Sequence, residues 1–208
     1  YLQPKCNMAT GELVSMEALA RWQKSDGTFV SPEEFIPLFE SSGFITRFDM
    51  YIWKSVCKTL AAWQDKGCKL VPISINVSMI DITNIDVPQY LSMLTEQYHI
   101  SPEYLPVEIT ESVFAESNTI VKNTITRFHK KGFYVLMDDF GSGYSSLNVL
   151  KDANVDYLKL DMKFMQIDAK NKGKGIQILK SIVDMAYRLG LVIIADGVET
   201  KEQSEIRK

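Results

Sequence analysis

Apolar and polar positions alternate in short stretches of the chain, and longer segments with helical spacing separate these stretches. We predict seven strands, at 1–5, 12–21, 71–77, 105–109, 133–138, 155–161 and 191–196. We predict helices near 32–41, 46–66, 87–98, 117–131, 145–151 and 173–189. Because strands that alternate with helices form a mainly parallel sheet, this order indicates an α/β domain.

The residues from Thr200 to Lys208 indicate which type of α/β fold the chain adopts. Thr200 with Gln203 three residues later is a capping-box pattern that opens a further helix, and the sequence stops at Lys208 inside it. Seven strands with another helix just begun predict a TIM-like (β/α)8 barrel that lacks its final strand in this chain. We expect a single domain over residues 1–208, truncated at both ends from a larger protein.

Polar residues in the predicted strands share one face and lie in the later part of each strand. Alternate side chains of a strand share a face, so this polar set can be separated from the apolar set. Glu17 is expected on the same strand face as Arg21. Since barrel enzymes assemble their sites at the C-terminal ends of the strands, we predict that these groups meet at one place. The polar set comprises Glu17, Ser74, Asn76, Glu108, Asp138, Lys159, Asp161 and Asp196.

The predicted site carries more negative charge than its lysine can neutralise. Several inward-facing carboxylates would repel one another at low dielectric, and Lys159 supplies a single positive charge. Carboxylate oxygens with the amide of Asn76 favour magnesium, manganese or calcium over zinc. Two such ions commonly assist the hydrolysis of phosphoesters, so this is the reaction class that the residues predict. The carboxylates are those of Glu17, Glu108, Asp138, Asp139 and Asp196.

Composition restricts the partners and the compartment. The chain has 208 residues, 46% of them hydrophobic, and a formal net charge of −3, which offers no basic surface to a DNA or RNA polymer. The three cysteines lack metal-site spacing and indicate reduced thiols. Without a signal-peptide pattern or a membrane-length apolar run, a cytoplasmic location is expected, and a membrane anchor elsewhere in the parent protein is left open.

Eight motifs that occur in order along almost the whole chain resemble those of the EAL family of cyclic di-GMP phosphodiesterases. A single EAL tripeptide carries little information, whereas eight ordered motifs make chance agreement negligible. The motifs are YLQPK from Tyr1, EAL from Glu17, SPEEFIPLFESSG from Ser31, INVS around Asn76, EITE from Glu108, DDFGSGYSSL from Asp138, KLD from Lys159 and DGVET from Asp196.

The resemblance implies a role for each matching residue. It implies two divalent ions, magnesium or manganese, with calcium as an inhibitor, and the linear dinucleotide pGpG as the product. Asp138 would bridge the two ions, and Lys159 would position or activate the attacking water. The implied metal ligands are Glu17, Asn76, Glu108, Asp138, Asp139 and Asp196. The implied catalytic residues are Lys159, Glu17, Asp139 and Glu111. The implied substrate-binding residues are Gln3, Arg21, Asp161 and Glu199.

The resemblance also implies partners beyond the substrate cyclic di-GMP. It implies a homodimer, with GGDEF or sensor domains elsewhere in the parent protein. Glu111 would hold the glycine-rich segment 140–146, which couples the site to dimerisation in the family.

Two departures from the family pattern keep other functions open. Asp196 replaces the usual glutamate of the EGVE motif, and the chain ends before the family's final strand. An alternative is therefore a catalytically weak or inactive EAL domain that acts as a cyclic di-GMP receptor. A third hypothesis is a barrel enzyme of another class, since lysine with carboxylates also supports enolisation. The near-complete acidic set with Lys159 favours hydrolysis.

Overall fold

The structure is a computed structural model that describes residues 1–115, 119–141, 149–150, 153–161 and 172–197. Its strands are β1 (Leu2–Cys6), β2 (Leu13–Ala18), β3 (Trp22–Gln23), β4 (Phe29–Val30), β5 (Ile73–Asn76), β6 (Val107–Thr110), β7 (Val135–Phe140), β8 (Tyr157–Asp161) and β9 (Val192–Asp196). Its helices are α1 (Pro32–Ser41), α2 (Ile45–Asp65), α3 (Met79–Asn84), α4 (Val87–Gln97), α5 (Glu111–Ala115), α6 (Thr119–Lys130) and α7 (Lys172–Arg188), with a 3-10 turn at Pro102–Tyr104.

Seven strands form one curled sheet in the order β1-β2-β5-β6-β7-β8-β9. β1 pairs with β2 in antiparallel orientation, and every later neighbour pairs in parallel. The described strands make a half-barrel, as expected of a (β/α)8 barrel that lacks a final strand. The α/β prediction and its seven strands are therefore confirmed, whereas the helix expected at Thr200 lies outside the described residues.

The predicted strand 12–21 is too long. β2 ends at Ala18, and a separate hairpin of β3 and β4 follows it. The hairpin turns at Asp26, whose Oδ1 accepts a hydrogen bond from the Thr28 amide at 2.9 Å. The indole of Trp22 packs against the rings of Phe35 and Phe39 on α1, which draws the chain away from the sheet.

Arg21 consequently does not share a strand with Glu17, and that prediction is wrong. Arg21 is exposed between β2 and β3, and its guanidinium donates a hydrogen bond to the carbonyl of Ala20 at 2.8 Å.

The apolar set of each central strand is buried against the helices. Helix α2 covers β5 with Trp53, Cys57 and Leu60, all of them fully buried. Because successive side chains of a strand point to opposite faces, this packing sends the polar set to the inside of the half-barrel. The buried apolar residues that alternate along β5, β6 and β7 include Ile73, Ile75, Val107, Ile109, Val135 and Met137.

A pair of carboxyl groups connects α2 to α3. Asp81 is fully buried, and its Oδ2 accepts hydrogen bonds from the amide and hydroxyl of Ser78 at 2.9 and 2.7 Å. Among the described residues, Oδ1 of Asp81 has no hydrogen-bond partner, and Asp49 interacts with the carboxyl group of Asp81. Burial, followed by the charge of Asp81 and a hydrogen bond to it, raises the pKa of Asp49 to about 9. Asp49 is therefore protonated at neutral pH.

We expect Asp49→Asn to stabilise the protein more at high pH than at low pH. In the unfolded chain the pKa of Asp49 returns to about 3.8, so the folded state holds the extra proton between this value and about 9. The stability that this proton confers is complete below the unfolded pKa and is lost as the pH rises through the folded pKa. Asparagine keeps the donor to Asp81 at every pH.

Urea denaturation near pH 5 and near pH 8 tests this expectation. The variant should gain about 1 to 3 kcal/mol more in unfolding free energy, relative to the parent chain, at the higher pH. An equal effect at both pH values would contradict the protonated pair.

Candidate active site

Three buried carboxylates meet inside the half-barrel, one from each of three strands. Glu17 comes from β2, Glu108 from β6 and Asp138 from β7. One oxygen of each lies within 4.8 Å of the others. Acidic groups this close at a buried position require positive charge between them. The prediction that these residues meet at one place is confirmed.

Lys159 of β8 occupies the centre of this acidic cluster. Its Nζ donates to Glu17 Oε2 at 2.8 Å, Glu108 Oε2 at 3.1 Å and Asp138 Oδ2 at 3.2 Å. Burial by itself would lower the pKa of Lys159, but the charges of these carboxylates outweigh burial and raise it above its ordinary value. Lys159 is therefore an ammonium group that donates hydrogen bonds.

Lys5 of β1 is a second ammonium group in the cluster, and the sequence analysis missed it. Its Nζ lies 2.5 Å from Glu108 Oε1 and 3.3 Å from Glu17 Oε2, and it donates to Ser74 Oγ at 3.0 Å. The expectation that Lys159 is the lone positive charge is corrected. Strand alternation could have found Lys5, because it shares a face of β1 with Gln3.

The two lysines do not neutralise the three carboxylates equally. Burial raises the pKa of Glu108, but Lys5 and Lys159 outweigh it and hold this pKa below its ordinary value. For Asp138, burial together with the charges of Glu108 and Asp139 prevails over Lys159 and raises the pKa to about 7. Asp138 is therefore the carboxylate of the cluster that the lysines stabilise least in its ionised form. Three carboxylate oxygens that lie within 4.8 Å of one another fit a hard divalent cation.

Three further predicted ligands lie next to the cluster. Asp196 ends β9, and its Oδ2 is 3.5 Å from Lys159 Nζ, although its side chain is 46% exposed. Asp139 is exposed, has a φ of 57°, and donates its amide to Asp138 Oδ1 at 2.8 Å. Asn76 is exposed at the end of β5 and pairs in register with Glu108. Asp196 therefore lies beside the cluster, and the ligand roles of Asp196, Asp139 and Asn76 stay predictions.

Glu111 contacts the segment that follows β7, as the resemblance implies. It is buried at the start of α5, and its Oε2 accepts a hydrogen bond from the amide of Gly141 at 3.0 Å. Residues 142–148 lie outside the described part of the chain. The observed contact holds the first residue after the strand that carries Asp138.

Two of the predicted substrate-binding residues, Gln3 and Asp161, lie on strands of the sheet that forms the cluster. Gln3 pairs with Glu17 across β1 and β2, and it lines a cavity of about 1590 Å³ between the sheet edges. Lys159 and Asp196 line the same cavity. Asp161 ends β8 and pairs in register with Asp196, while Glu199 lies outside the described residues. The acidic cluster thus opens into a space that can admit a ligand.

Trp53 fixes the strand end that carries Asn76. Its side chain is fully buried beneath the sheet, and its Nε1 donates to the carbonyl of Asn76 at 3.0 Å. Helix α2 therefore supports the site from behind, since this hydrogen bond ties the helix to the last residue of β5.

A sequence model of the EAL domain matches residues 1–207. The chain belongs to the EAL domain family. This EAL domain is 35% identical over 206 residues to a probable cyclic di-GMP phosphodiesterase, PdeB of Escherichia coli K12, and the match covers 99% of the chain and 38% of PdeB. It is 33% identical over 204 residues to the oxygen sensor protein DosP of the same organism, covering 98% of the chain and 25% of DosP. The domain therefore spans well under half of these relatives.

Solved EAL structures share the fold. The EAL enzyme Bd1971 in its form bound to cAMP and cyclic di-GMP has a TM-score of 0.89 at 26% identity, covering 99% of this chain and 56% of that one. The PaMucR phosphodiesterase in complex with c-di-GMP has a TM-score of 0.86 at 28% identity, covering 99% of this chain and 83% of that one. Among the described residues, no helix combines the length and apolar character of a membrane span.

We expect Trp53→Phe to destabilise the EAL domain more than Trp63→Phe on the same helix. Trp53 is fully buried and donates to the Asn76 carbonyl, whereas Trp63 is only partly buried and makes no such bond. The lost hydrogen bond should add about 1 kcal/mol to the larger packing loss at Trp53. Chemical denaturation of both variants measures the difference. Equal losses would show that the hydrogen bond contributes nothing to the support of β5.

Proposed function

We propose that this EAL domain is a metal-dependent phosphodiesterase that hydrolyses cyclic di-GMP to the linear dinucleotide pGpG. The observation that carries the proposal is the buried cluster of Glu17, Glu108 and Asp138 around Lys159. The names of relatives that are cyclic di-GMP phosphodiesterases, at 31% to 35% identity, support the choice of substrate.

The acidic residues would hold two divalent ions, magnesium or manganese. When bound, such ions stabilise the charge on the attacking and leaving oxygens of an in-line phosphoryl displacement. The residues that would hold them are Glu17, Asn76, Glu108, Asp138, Asp139 and Asp196.

Lys159 would position the nucleophile through its N–H groups. Without metal, the three carboxylates around Lys159 raise its pKa above its ordinary value, and its ammonium group donates a hydrogen bond to an oxygen of each. A water or phosphate oxygen within reach of its Nζ would be oriented and stabilised by its positive charge. This assignment favours the positioning role over the activating role.

The other predicted residues would bind the dinucleotide and arrange the site. Gln3 lines the cavity beside Glu17, so its amide can donate to or accept from a ligand there. Glu111 would keep the strand end at Asp138 in place through the amide of Gly141. Arg21, Asp161 and Glu199 are proposed as further contacts to the substrate or its supporting shell, and Asp139 as a catalytic residue.

The cellular setting of the domain is part of the proposal. The domain covers between a quarter and two fifths of the relatives PdeB and DosP, so sensor or GGDEF domains in the parent protein are proposed. A homodimer, a cytoplasmic location and inhibition by calcium are proposed with them on the same resemblance. Membership of the EAL family favours phosphodiester hydrolysis over the enolisation hypothesis.

The first test is turnover of cyclic di-GMP by the 208-residue chain with magnesium or manganese. Hydrolysis should stop in excess chelator, and Lys159→Met or Glu17→Gln should lower kcat by about 100-fold or more, since both residues act on the reacting groups. Lys54→Met, on an exposed position of α2, is the matched control and should leave turnover unchanged.

The outcomes separate an enzyme from a receptor. Undiminished turnover in excess chelator would contradict the metal dependence. Tight binding of cyclic di-GMP with no turnover under any metal would instead support the receptor function.

A second test concerns the length of the side chain at Asp196. Aspartate is one methylene shorter than glutamate, and magnesium tolerates little change from ligand distances of about 2.0 to 2.1 Å. We expect Asp196→Glu to lower the metal concentration that gives half-maximal turnover by about 3-fold or more, with little change in cyclic di-GMP binding. Metal titrations of both proteins decide this. The same or a poorer metal dependence in the variant would contradict a weakened second site.

A further inference from the structure

Lys5 contacts the carboxylate oxygens that are proposed to bind metal. Its Nζ is 2.5 Å from Glu108 Oε1 and 3.3 Å from Glu17 Oε2. Lys159 contacts the other oxygen of Glu108 and the same oxygen of Glu17. Both oxygens of Glu108 are therefore engaged by ammonium groups. A divalent ion needs direct contact with such oxygens at about 2.0 to 2.4 Å, so it competes with these ammonium groups for the same atoms.

The two lysines differ in their freedom to give up these contacts. Lys159 lies on β8, between β7 and β9, and its side chain is 4% exposed. Lys5 lies on β1 at the edge of the sheet, its side chain is 11% exposed, and it lines the cavity of about 1590 Å³. A lysine has a flexible four-carbon stem, so the Lys5 ammonium can withdraw into this cavity while its backbone stays paired.

Lys5 also has a buried partner outside the carboxylate cluster, the hydroxyl group of Ser74. Its ammonium group donates a hydrogen bond to Ser74 Oγ at 3.0 Å, and Ser74 belongs to β5, the strand between β2 and β6. Ser74 is itself buried and donates to the carbonyl of Met16 at 3.2 Å. The ammonium is thus held at a defined position by a buried partner as well as by the carboxylates.

We propose that Lys5 is a positioning residue that sets the divalent-ion affinity of the site. Its ammonium neutralises Glu108 and Glu17, and it must leave them before an ion can use both carboxylates. The charge at Lys5 therefore weakens metal binding and stabilises the protein without metal. This inference rests on the proposed metal-dependent function.

Calorimetric titration of the 208-residue chain with manganese and magnesium, in the absence of nucleotide, tests the inference. Lys5→Met and Lys5→Gln remove the competing charge and should lower the dissociation constant by about tenfold, which corresponds to about 1.4 kcal/mol. Lys5→Gln introduces a neutral amide that can still donate hydrogen bonds to Ser74 and Glu108, so this variant keeps the test valid if Lys5→Met fails to fold. Lys5→Arg keeps the charge and should bind metal as the parent chain does. Lys54→Met, an exposed lysine on α2, should also leave the affinity unchanged.

Thermal unfolding provides a readout that is independent of turnover. Lys5→Met should lower Tm in excess chelator, because the carboxylates lose a cation, and the loss should shrink at saturating manganese. Equal or weaker metal affinity in both neutral variants would overturn the role of Lys5. A gain in Lys5→Arg as large as in Lys5→Met would overturn it too, since the cause would be steric.

The proposed function and this inference fail in different ways. If the parent chain binds neither ion, the metal-dependent function and the role of Lys5 fall together. If the parent chain binds metal and the neutral variants bind it equally, only the role of Lys5 falls.

Discussion

Three carboxylates buried around the ammonium groups of Lys159 and Lys5 are the constraint on which the rest of this EAL domain depends. Glu17, Glu108 and Asp138 are each less than one tenth exposed, and their mutual repulsion at low dielectric is large. Lys159 offsets part of it through contacts of 2.8 to 3.2 Å to all three. Positive charge at this position therefore stabilises the folded cluster.

The polar side chains of the cluster lie on the inner face of the sheet because the apolar side chains of its outer face pack against the helices. The apolar set of β5 packs against Trp53 and the rest of α2, and strand alternation leaves Ser74 and Asn76 on the opposite face. The same logic applies to β6 and β7. The burial of apolar side chains behind the sheet thus stabilises a site whose carboxylates repel one another. Trp53 adds a hydrogen bond to the backbone carbonyl of Asn76.

Buried carboxyl groups are stabilised in two different ways in this domain. In the candidate active site, lysines supply the charge, and Glu108 keeps a pKa below its ordinary value. Between α2 and α3, a proton serves instead, because no cation faces Asp81 among the contacts described and the pKa of Asp49 rises to about 9. A protonated pair attracts a metal ion less than ionised carboxylates do, and in the described part of the chain the group of acidic residues that could hold an ion is the cluster inside the half-barrel.

The sequence by itself determined the alternation of strands and helices and the barrel that lacks a final strand. It also determined that Glu17, Glu108, Asp138 and Lys159 meet, because side-chain alternation within each strand is a local property and parallel barrel strands end at the same face. Only the tertiary structure decided that Lys5 enters the cluster, since a residue on an edge strand reaches Glu108 through sheet pairing across 103 residues of chain. Tertiary packing also ended β2 at Ala18, where Trp22 joins the aromatic side chains of α1 and separates Arg21 from the strand of Glu17. The pKa values of Asp49 and Asp138 likewise depend on neighbours and burial that no sequence pattern displays.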